Sequence, residues 1–216
     1  MMVINKYSQQ DPKWKDLPLG DSNTIGSHGC LITTLCNQFR NYAIDITPPE
    51  MVTRLKKYQG ISPSGDLQWP QVQVAFPPVS FRARIWTSLA PPNYAREQIS
   101  VSLEKIQKLL SFGQPVALNV DASFQDGLAD HWIMAYDPEG LRIIDAWDGW
   151  DGKFEDKYGA PEKGIFGYAV QIGPPIGFPD GGFPTLGQAT WKLSQAERGV
   201  HTMQYVKEAL DHLLGV

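Results

Sequence analysis

Cys30 stands where a thiol could act as a nucleophile. Gly29 precedes it and the uninterrupted segment CLITTLCNQFRNYA follows, so we predict a helix that begins near Cys30. The unpaired N–H groups and the positive dipole end of a helix N-terminus favour the thiolate form. A lone cysteine is more often a small buried hydrophobe, and this is our interpretation of Cys36, deeper in the same helix. On one helix the two thiols are too far apart for a disulfide.

A thiolate nucleophile needs an imidazole as its base, and the imidazole needs a third group to orient it. His131 opens the strand-like run HWIMAY, and Asp145 ends the next run, LRIID. A turn over residues 137–140 would join the runs as an antiparallel hairpin, which would make His131 and Asp145 cross-strand neighbours. Taken singly, each could be an ordinary strand-end residue. The other histidines lack such an arrangement: His28, His201 and His212.

The composition excludes several other classes of site. With 19 Lys and Arg against 23 Asp and Glu, the formal net charge is -4, which argues against a nucleic-acid binder. Zinc signatures and glycine-rich nucleotide motifs are missing, and we predict no cofactor. Asp145, Asp148 and Asp151 are spaced by three, but solvated turn acids are a better interpretation than a calcium loop. No apolar run is long enough for a membrane span or a signal peptide, so we expect no membrane insertion.

The elements that must position these residues form two groups. Up to Ile25 the chain reads as an extended polar arm, and the predicted helices then begin near Cys30, after Thr47 and after Gly65. A strand over 81–86 and an amphipathic helix over 99–112 precede four β-rich runs: PVALNV, HWIMAY, LRIID and GIFGYAVQI. Helices first and an antiparallel sheet second predict an α+β fold.

Three regions follow from this pattern. Residues 1–172 hold all the predicted elements of a catalytic domain. Residues 173–190 are so rich in Gly and Pro that we predict a linker or strap. Residues 191–216 predict a C-terminal amphipathic helix, whose apolar stripe could bind a partner module or a second copy of the chain.

Four segments together resemble a known family: YSQQDPKW over 7–14, SHGC over 27–30, HW at 131–132 and DAW over 145–147. In their order and spacing they are similar to the papain-like cysteine peptidases of family thirty-nine, relatives of the bacteriocin leader peptidases that cut after a double glycine. The resemblance is closest to the free-standing bacterial and phage branch. It extends from about Tyr7 to Ile172.

The resemblance implies a papain-like α+β fold with N-terminal helices packed on a C-terminal antiparallel sheet. It makes Cys30 the nucleophile, His131 the general base and Asp145 the residue that orients the histidine. Gln9 takes the family's oxyanion-hole glutamine, with Gln10 as the alternative. The sequence departs from the family at the residue after the nucleophile, where relatives often have glycine and this chain has leucine.

The expected function is cysteine-dependent hydrolysis of an amide bond through a thioester, most simply in the peptides of peptidoglycan. A phage endolysin or virion-associated enzyme, made in the cytoplasm and acting on the cell envelope, would need no export signal of its own. One alternative is a protease that acts on a protein or a leader peptide. The other is a catalytically silent domain of the same fold that binds peptides.

Overall fold

The chain is an α+β protein whose helices and strands lie largely in separate halves of the sequence. The computed structural model describes residues 2–86, 103–122 and 130–173. The helices are α1 (Ile25–His28), α2 (Cys30–Phe39), α3 (Pro48–Lys57), α4 (Trp69–Ala75), α5 (Leu103–Ser111), α6 (Phe154–Tyr158) and α7 (Pro161–Gly164). The strands are β1 (Ser80–Trp86), β2 (Val116–Val120), β3 (His131–Asp137), β4 (Arg142–Asp145), β5 (Asp151–Lys153) and β6 (Gly167–Ile172).

The start of each N-terminal helix is specified by local chemistry. A capping box of Thr24 and Ser27 begins α1, and a second box of Thr47 and Glu50 begins α3. Between α1 and α2 the chain turns at Gly29, where an added Cβ would collide with the Ile25 carbonyl oxygen. Only glycine therefore lets α2 begin directly after α1 with a cysteine as its first residue.

The six strands form one antiparallel sheet in the order β1-β6-β2-β3-β4-β5. Strand β6 lies between β1 and β2, and β3 lies between β2 and β4. Strands β3 and β4 form the predicted hairpin, and Ile133, two residues after His131, lies opposite Asp145. His131 and Asp145 are thus cross-strand neighbours along a diagonal of one face of the sheet.

Two main apolar clusters support these elements. One lies between the sheet and α5, and includes Ile106, Leu118 and Ile133. The other joins α2, α3 and α4 around Leu35 and Phe39. Because α2 packs against both the other helices and β3, eight of its ten residues are buried. The position of α2 relative to the sheet is therefore fixed on both sides.

The polar N-terminal arm predicted from the sequence is largely packed against the protein. Trp14 and Leu19 are buried in the helical cluster, and the Trp14 indole N–H donates to the Ser8 carbonyl oxygen at 2.8 Å. The segment therefore belongs to the fold.

The predicted helices near Cys30, Thr47 and Gly65 are present, as are the predicted strands. Four short elements were not predicted: α1, β5, α6 and α7. The first residues of the helix predicted over 99–112, the linker from residue 174 onward and the C-terminal helix over 191–216 lie outside the described residues. None of the helices that the structure describes has the length and apolar character needed to cross a bilayer.

We expect a chain that ends at Ile172 to fold without the remaining residues. Strand β6 ends there and is hydrogen-bonded to a strand on each side. The free energy of unfolding in urea should fall by no more than about 2 kcal/mol, which is small beside typical domain stabilities. A chain ending at Phe166, which lacks β6, is the control and should not fold. A 172-residue chain that is insoluble, or that melts far below the full chain, would show that the C-terminal helix belongs to the core.

Candidate active site

Cys30 is the first residue of α2 and is half-buried. The first N–H groups of a helix have no partner within that helix, so the Cys30 backbone N–H is available to a ligand. The Cys30 thiol lies beside the His131 ring, close enough for the two side chains to interact electrostatically. The structure thus brings the predicted nucleophile and the predicted base into contact.

His131 is the first residue of β3 and is only 4% exposed. Its Nε2 lies 2.7 Å from Asp145 Oδ1, which leaves Nδ1 as the ring nitrogen for Cys30. Two further bonds hold its backbone. Thr34, one helical turn after Cys30, donates its hydroxyl to the Trp132 carbonyl at 2.9 Å, and Asn119 Nδ2 donates to the His131 carbonyl at 3.1 Å. The bond from Thr34 links α2, which carries Cys30, directly to β3, which carries His131.

The Asp145 carboxylate is 1% exposed, accepts three hydrogen bonds and forms one salt bridge. Oδ1 bonds to the His131 ring nitrogen at 2.7 Å and accepts the Trp147 backbone N–H at 2.8 Å. Oδ2 accepts the Tyr158 hydroxyl at 2.6 Å and pairs with the Lys157 ammonium, also at 2.6 Å. A buried carboxylate is stable only when its lone pairs are satisfied in this way.

These contacts set the charges of the pair. Burial opposes the charged form of His131, but hydrogen bonds to Asp145 and Cys30 outweigh it and raise the pKa of His131 to about 9. Burial likewise opposes the charged form of Asp145, yet His131, Lys157 and Tyr158 hold the pKa of that carboxyl well below its usual range. At neutral pH the pair is therefore an imidazolium and a carboxylate.

Gln9 is buried and lies between α1 and the loop after β4. Its backbone N–H donates to the Ala146 carbonyl at 2.7 Å, and its side-chain Nε2 donates to the Gly26 carbonyl at 2.8 Å. An amide nitrogen carries two protons, so Gln9 Nε2 retains one for another acceptor. Gln10 Nε2 reaches the same Gly26 oxygen at 2.6 Å, but this residue is only partly buried. Gln9 is the better-enclosed of the two candidates.

A cavity of about 260 Å³ lies on the His131 side of the site and is lined by Ala122, His131, Asp145, Trp147, Lys157 and Tyr158. Trp147 is 50% exposed although its backbone is fixed at both ends: its N–H donates to Asp145, and its carbonyl accepts the Ser8 hydroxyl at 2.6 Å. The cavity is thus lined by the Trp147 side chain, whose backbone is fixed, and by His131.

The acidic cluster after β4 is occupied by cations of the protein itself. Asp148 pairs with Lys157 at 3.1 Å, and Asp151 pairs with Lys6 at 2.7 Å and Arg142 at 2.9 Å. Among the residues that the structure describes, no group of three or more His, Cys, Asp or Glu side chains could hold a metal ion.

The remaining candidates lie away from this site. His28 is exposed and bonds to the Ser27 hydroxyl, and Cys36 is fully buried, which raises the pKa of its thiol. His201 and His212 are outside the described residues. The sequence reasoning missed Thr34, Lys157 and Tyr158. Thr34 at four positions after Cys30 could have been found from helical spacing, whereas nothing in the sequence pointed from α6 to Asp145.

Comparison of the chain with models of known protein families, with curated proteins and with solved structures finds no match. The case for a function therefore depends on the site itself.

We expect the His131–Asp145 contact to stabilise the protein fully below about pH 6.5 and to lose this effect as the pH rises through about 9. The folded pKa of His131, about 9, is above the value of an unfolded histidine, so the folded state retains a proton that the unfolded state has lost. Relative to a His131→Gln variant, the wild type should lose on the order of 3 kcal/mol across this window. Urea unfolding at several pH values measures the difference. Parallel pH profiles for the two proteins would contradict it.

Proposed function

We propose that the protein is a cysteine-dependent amide-bond hydrolase with a papain-like catalytic arrangement. The observation that carries the proposal is the continuous contact from Cys30 through His131 to Asp145. A buried histidine held between a thiol and a carboxylate is what nucleophilic catalysis by cysteine requires. The α+β architecture, with the thiol on an N-terminal helix and the base and acid on an antiparallel sheet, supports a papain-like fold.

In the acylation step the Cys30 sulfur attacks the carbonyl carbon of the substrate after its proton has passed to His131 Nδ1. The carbonyl oxygen becomes an oxyanion, which the Cys30 backbone N–H and the second proton of Gln9 Nε2 stabilise. One such donor typically contributes about 3 kcal/mol to the transition state. When the tetrahedral intermediate collapses, the C–N bond breaks and the leaving amine takes the proton from the His131 imidazolium.

In the deacylation step a water molecule attacks the thioester while neutral His131 accepts one of its protons. The C–S bond then breaks, the carboxylic acid leaves, and the Cys30 thiolate and the His131 imidazolium are restored. Asp145 remains ionised throughout, and its role is to hold the ring and stabilise the imidazolium. The cycle consumes one amide and one water and needs no further reactant.

For the substrate we propose a peptide of the bacterial cell wall, in which the enzyme would cut a stem or a cross-link. The resemblance to the free-standing bacterial and phage branch of family thirty-nine supports this choice. The buried, fully hydrogen-bonded Asp145 weighs against a silent peptide-binding domain, because binding alone needs no charged network beneath the cleft.

We expect Cys30 to be the reactive thiol. At about pH 6, iodoacetamide should label it well before Cys36, because Cys30 is the half-buried first residue of α2 beside His131, whereas Cys36 is fully buried and burial raises the pKa of its thiol. Peptide mapping by mass spectrometry measures the two rates. His131→Ala should slow the labelling of Cys30, and Cys36→Ala, the matched control, should leave it unchanged. Equal labelling of both thiols would remove Cys30 as the nucleophile.

We expect purified sacculi to be cut and casein to remain intact. Mass spectrometry of the soluble fragments should show new amine and carboxyl ends in the peptide stems or cross-links. Cys30→Ala should abolish the release, and Cys36→Ala should retain it. Cleavage of casein instead would favour a protease acting on proteins. Hydrolysis that survives Cys30→Ala would contradict the proposed mechanism.

A further inference from the structure

Helix α6 delivers two consecutive side chains to the carboxylate of Asp145. Lys157 Nζ and Tyr158 Oη each lie 2.6 Å from Oδ2, the oxygen that does not face His131. The ammonium also lies 3.1 Å from Asp148 Oδ2. Lys157 is thus shared between a buried carboxylate and one that is about half exposed.

The position of α6 is fixed by packing that has no connection with this ion pair. Phe154 and Tyr158, at its two ends, are buried in the sheet cluster, and their rings are 5.4 Å apart. Gly159 ends the helix with a positive φ of 68°. The two aromatic anchors and the glycine would hold α6 in place whether or not residue 157 carried a charge, so the contact between Lys157 and Asp145 is a separate feature of the sequence.

We propose that Lys157 and Tyr158 are positioning residues for the Cys30–His131–Asp145 array, and that the Lys157 charge determines how strongly His131 holds its proton. This inference rests on the proposed function, since it names residues that tune the same site. Neither side chain has to touch the substrate for this role: both act through Asp145.

The sign of the effect follows from the charges around the imidazole. Asp145 and the Cys30 thiolate stabilise the His131 imidazolium. The Lys157 ammonium has the opposite effect, because it neutralises part of the Asp145 charge and repels the imidazolium. Asp148, on the far side of Lys157, moderates that repulsion. The Tyr158 hydroxyl is neutral, because burial and the neighbouring Asp145 raise its pKa. The uncharged Ala122 and Trp147 complete the lining.

This balance between the Asp145 and Lys157 charges suits His131, which must donate a proton in one step and accept a proton in the next. Acylation needs His131 as an imidazolium that gives a proton to the leaving amine, and deacylation needs the neutral ring that takes a proton from water. Asp145 without Lys157 would hold the imidazolium too firmly for the second step. The Tyr158 hydroxyl fixes the plane of the carboxylate, so that Oδ1 stays directed at His131 Nε2.

The test replaces each residue and follows His131 directly. Lys157→Met removes the charge, Lys157→Arg retains it and Tyr158→Phe removes the hydroxyl. Lys163→Met, on the exposed surface of α7, is the matched control for the loss of one lysine. NMR titration of the His131 imidazole, assigned with His131→Gln, reports its protonation without any substrate. The pH dependence of kcat and KM on the cleaved amide reports the catalytic effect.

We expect Lys157→Met to raise the titration midpoint of His131 by about half a pH unit or more, and Lys157→Arg to restore it. The kcat of Lys157→Met should fall about tenfold with little change in KM, because the interaction between Lys157 and Asp145 affects the reacting groups and not substrate binding. Tyr158→Phe should lower kcat with a smaller shift of the midpoint. Lys163→Met should match the wild type in both measurements.

A His131 midpoint in Lys157→Met that equals the midpoint in Lys163→Met would overturn the inference. If Lys157→Met does not fold, Asp148→Asn provides the second measurement: it removes the charge that moderates Lys157, so the His131 midpoint should fall, and an unchanged midpoint would also overturn the inference. Because the NMR titration needs no substrate, a protein that hydrolyses nothing would refute the proposed function and still give a readable result for Lys157.

Discussion

The structure around the candidate site depends on one buried negative charge. An isolated carboxylate in a protein interior would be strongly destabilising, and Asp145 is 1% exposed. Its four partners come from strand β3, from the backbone of the loop after β4 and from helix α6. Since removing any of these partners leaves part of the charge unpaired, the burial of Asp145 requires all three elements to be in place together.

The second constraint is the contact between helix α2 and strand β3. The thiol belongs to the helical half of the chain, and the imidazole and the carboxylate belong to the sheet. Thr34 bonds to the carbonyl of Trp132, the residue after His131, and so couples the two halves next to the reacting groups. Leu31 of α2 and Trp132 of β3 pack in the same apolar cluster and add to this contact. The contact that packs the two halves of the domain together therefore also places the Cys30 thiol beside His131.

Much of this arrangement could be predicted from the sequence where a local signal exists. A glycine followed by a long uninterrupted segment predicted the start of α2, and alternating runs around a turn predicted the β3–β4 hairpin. The register of the hairpin could not be predicted. The pairing shifts by one residue between Ala135 and Asp137, and no residue type in the sequence indicates this shift. The hairpin still brought His131 and Asp145 together, since diagonal neighbours on one face are within reach of long side chains.

The missed residues have a common physical cause. Helix α6 has five residues, too few to show the periodicity by which helices are recognised. Its approach to Asp145 comes from tertiary packing of Phe154 and Tyr158. The burial of Trp14 and Leu19 was missed for the same reason, because isolated apolar residues in a polar segment carry no pattern.

The packing of the N-terminal arm against the loop after β4 also determines when the site is assembled during folding. Ser8 and Trp147, which are hydrogen-bonded, are separated by 139 positions in the chain, and Gln9 pairs with Ala146 beside them. Contacts of such large sequence separation close late in folding, and a chain emerging from the ribosome presents its N-terminal part first. A growing chain therefore exposes Cys30 long before the loop that completes its surroundings has been synthesised. The site can be completed only when the whole domain has been synthesised. A chain that stops short of β4 has the Cys30 thiol but lacks both Asp145 and Ala146, which accepts the Gln9 backbone N–H.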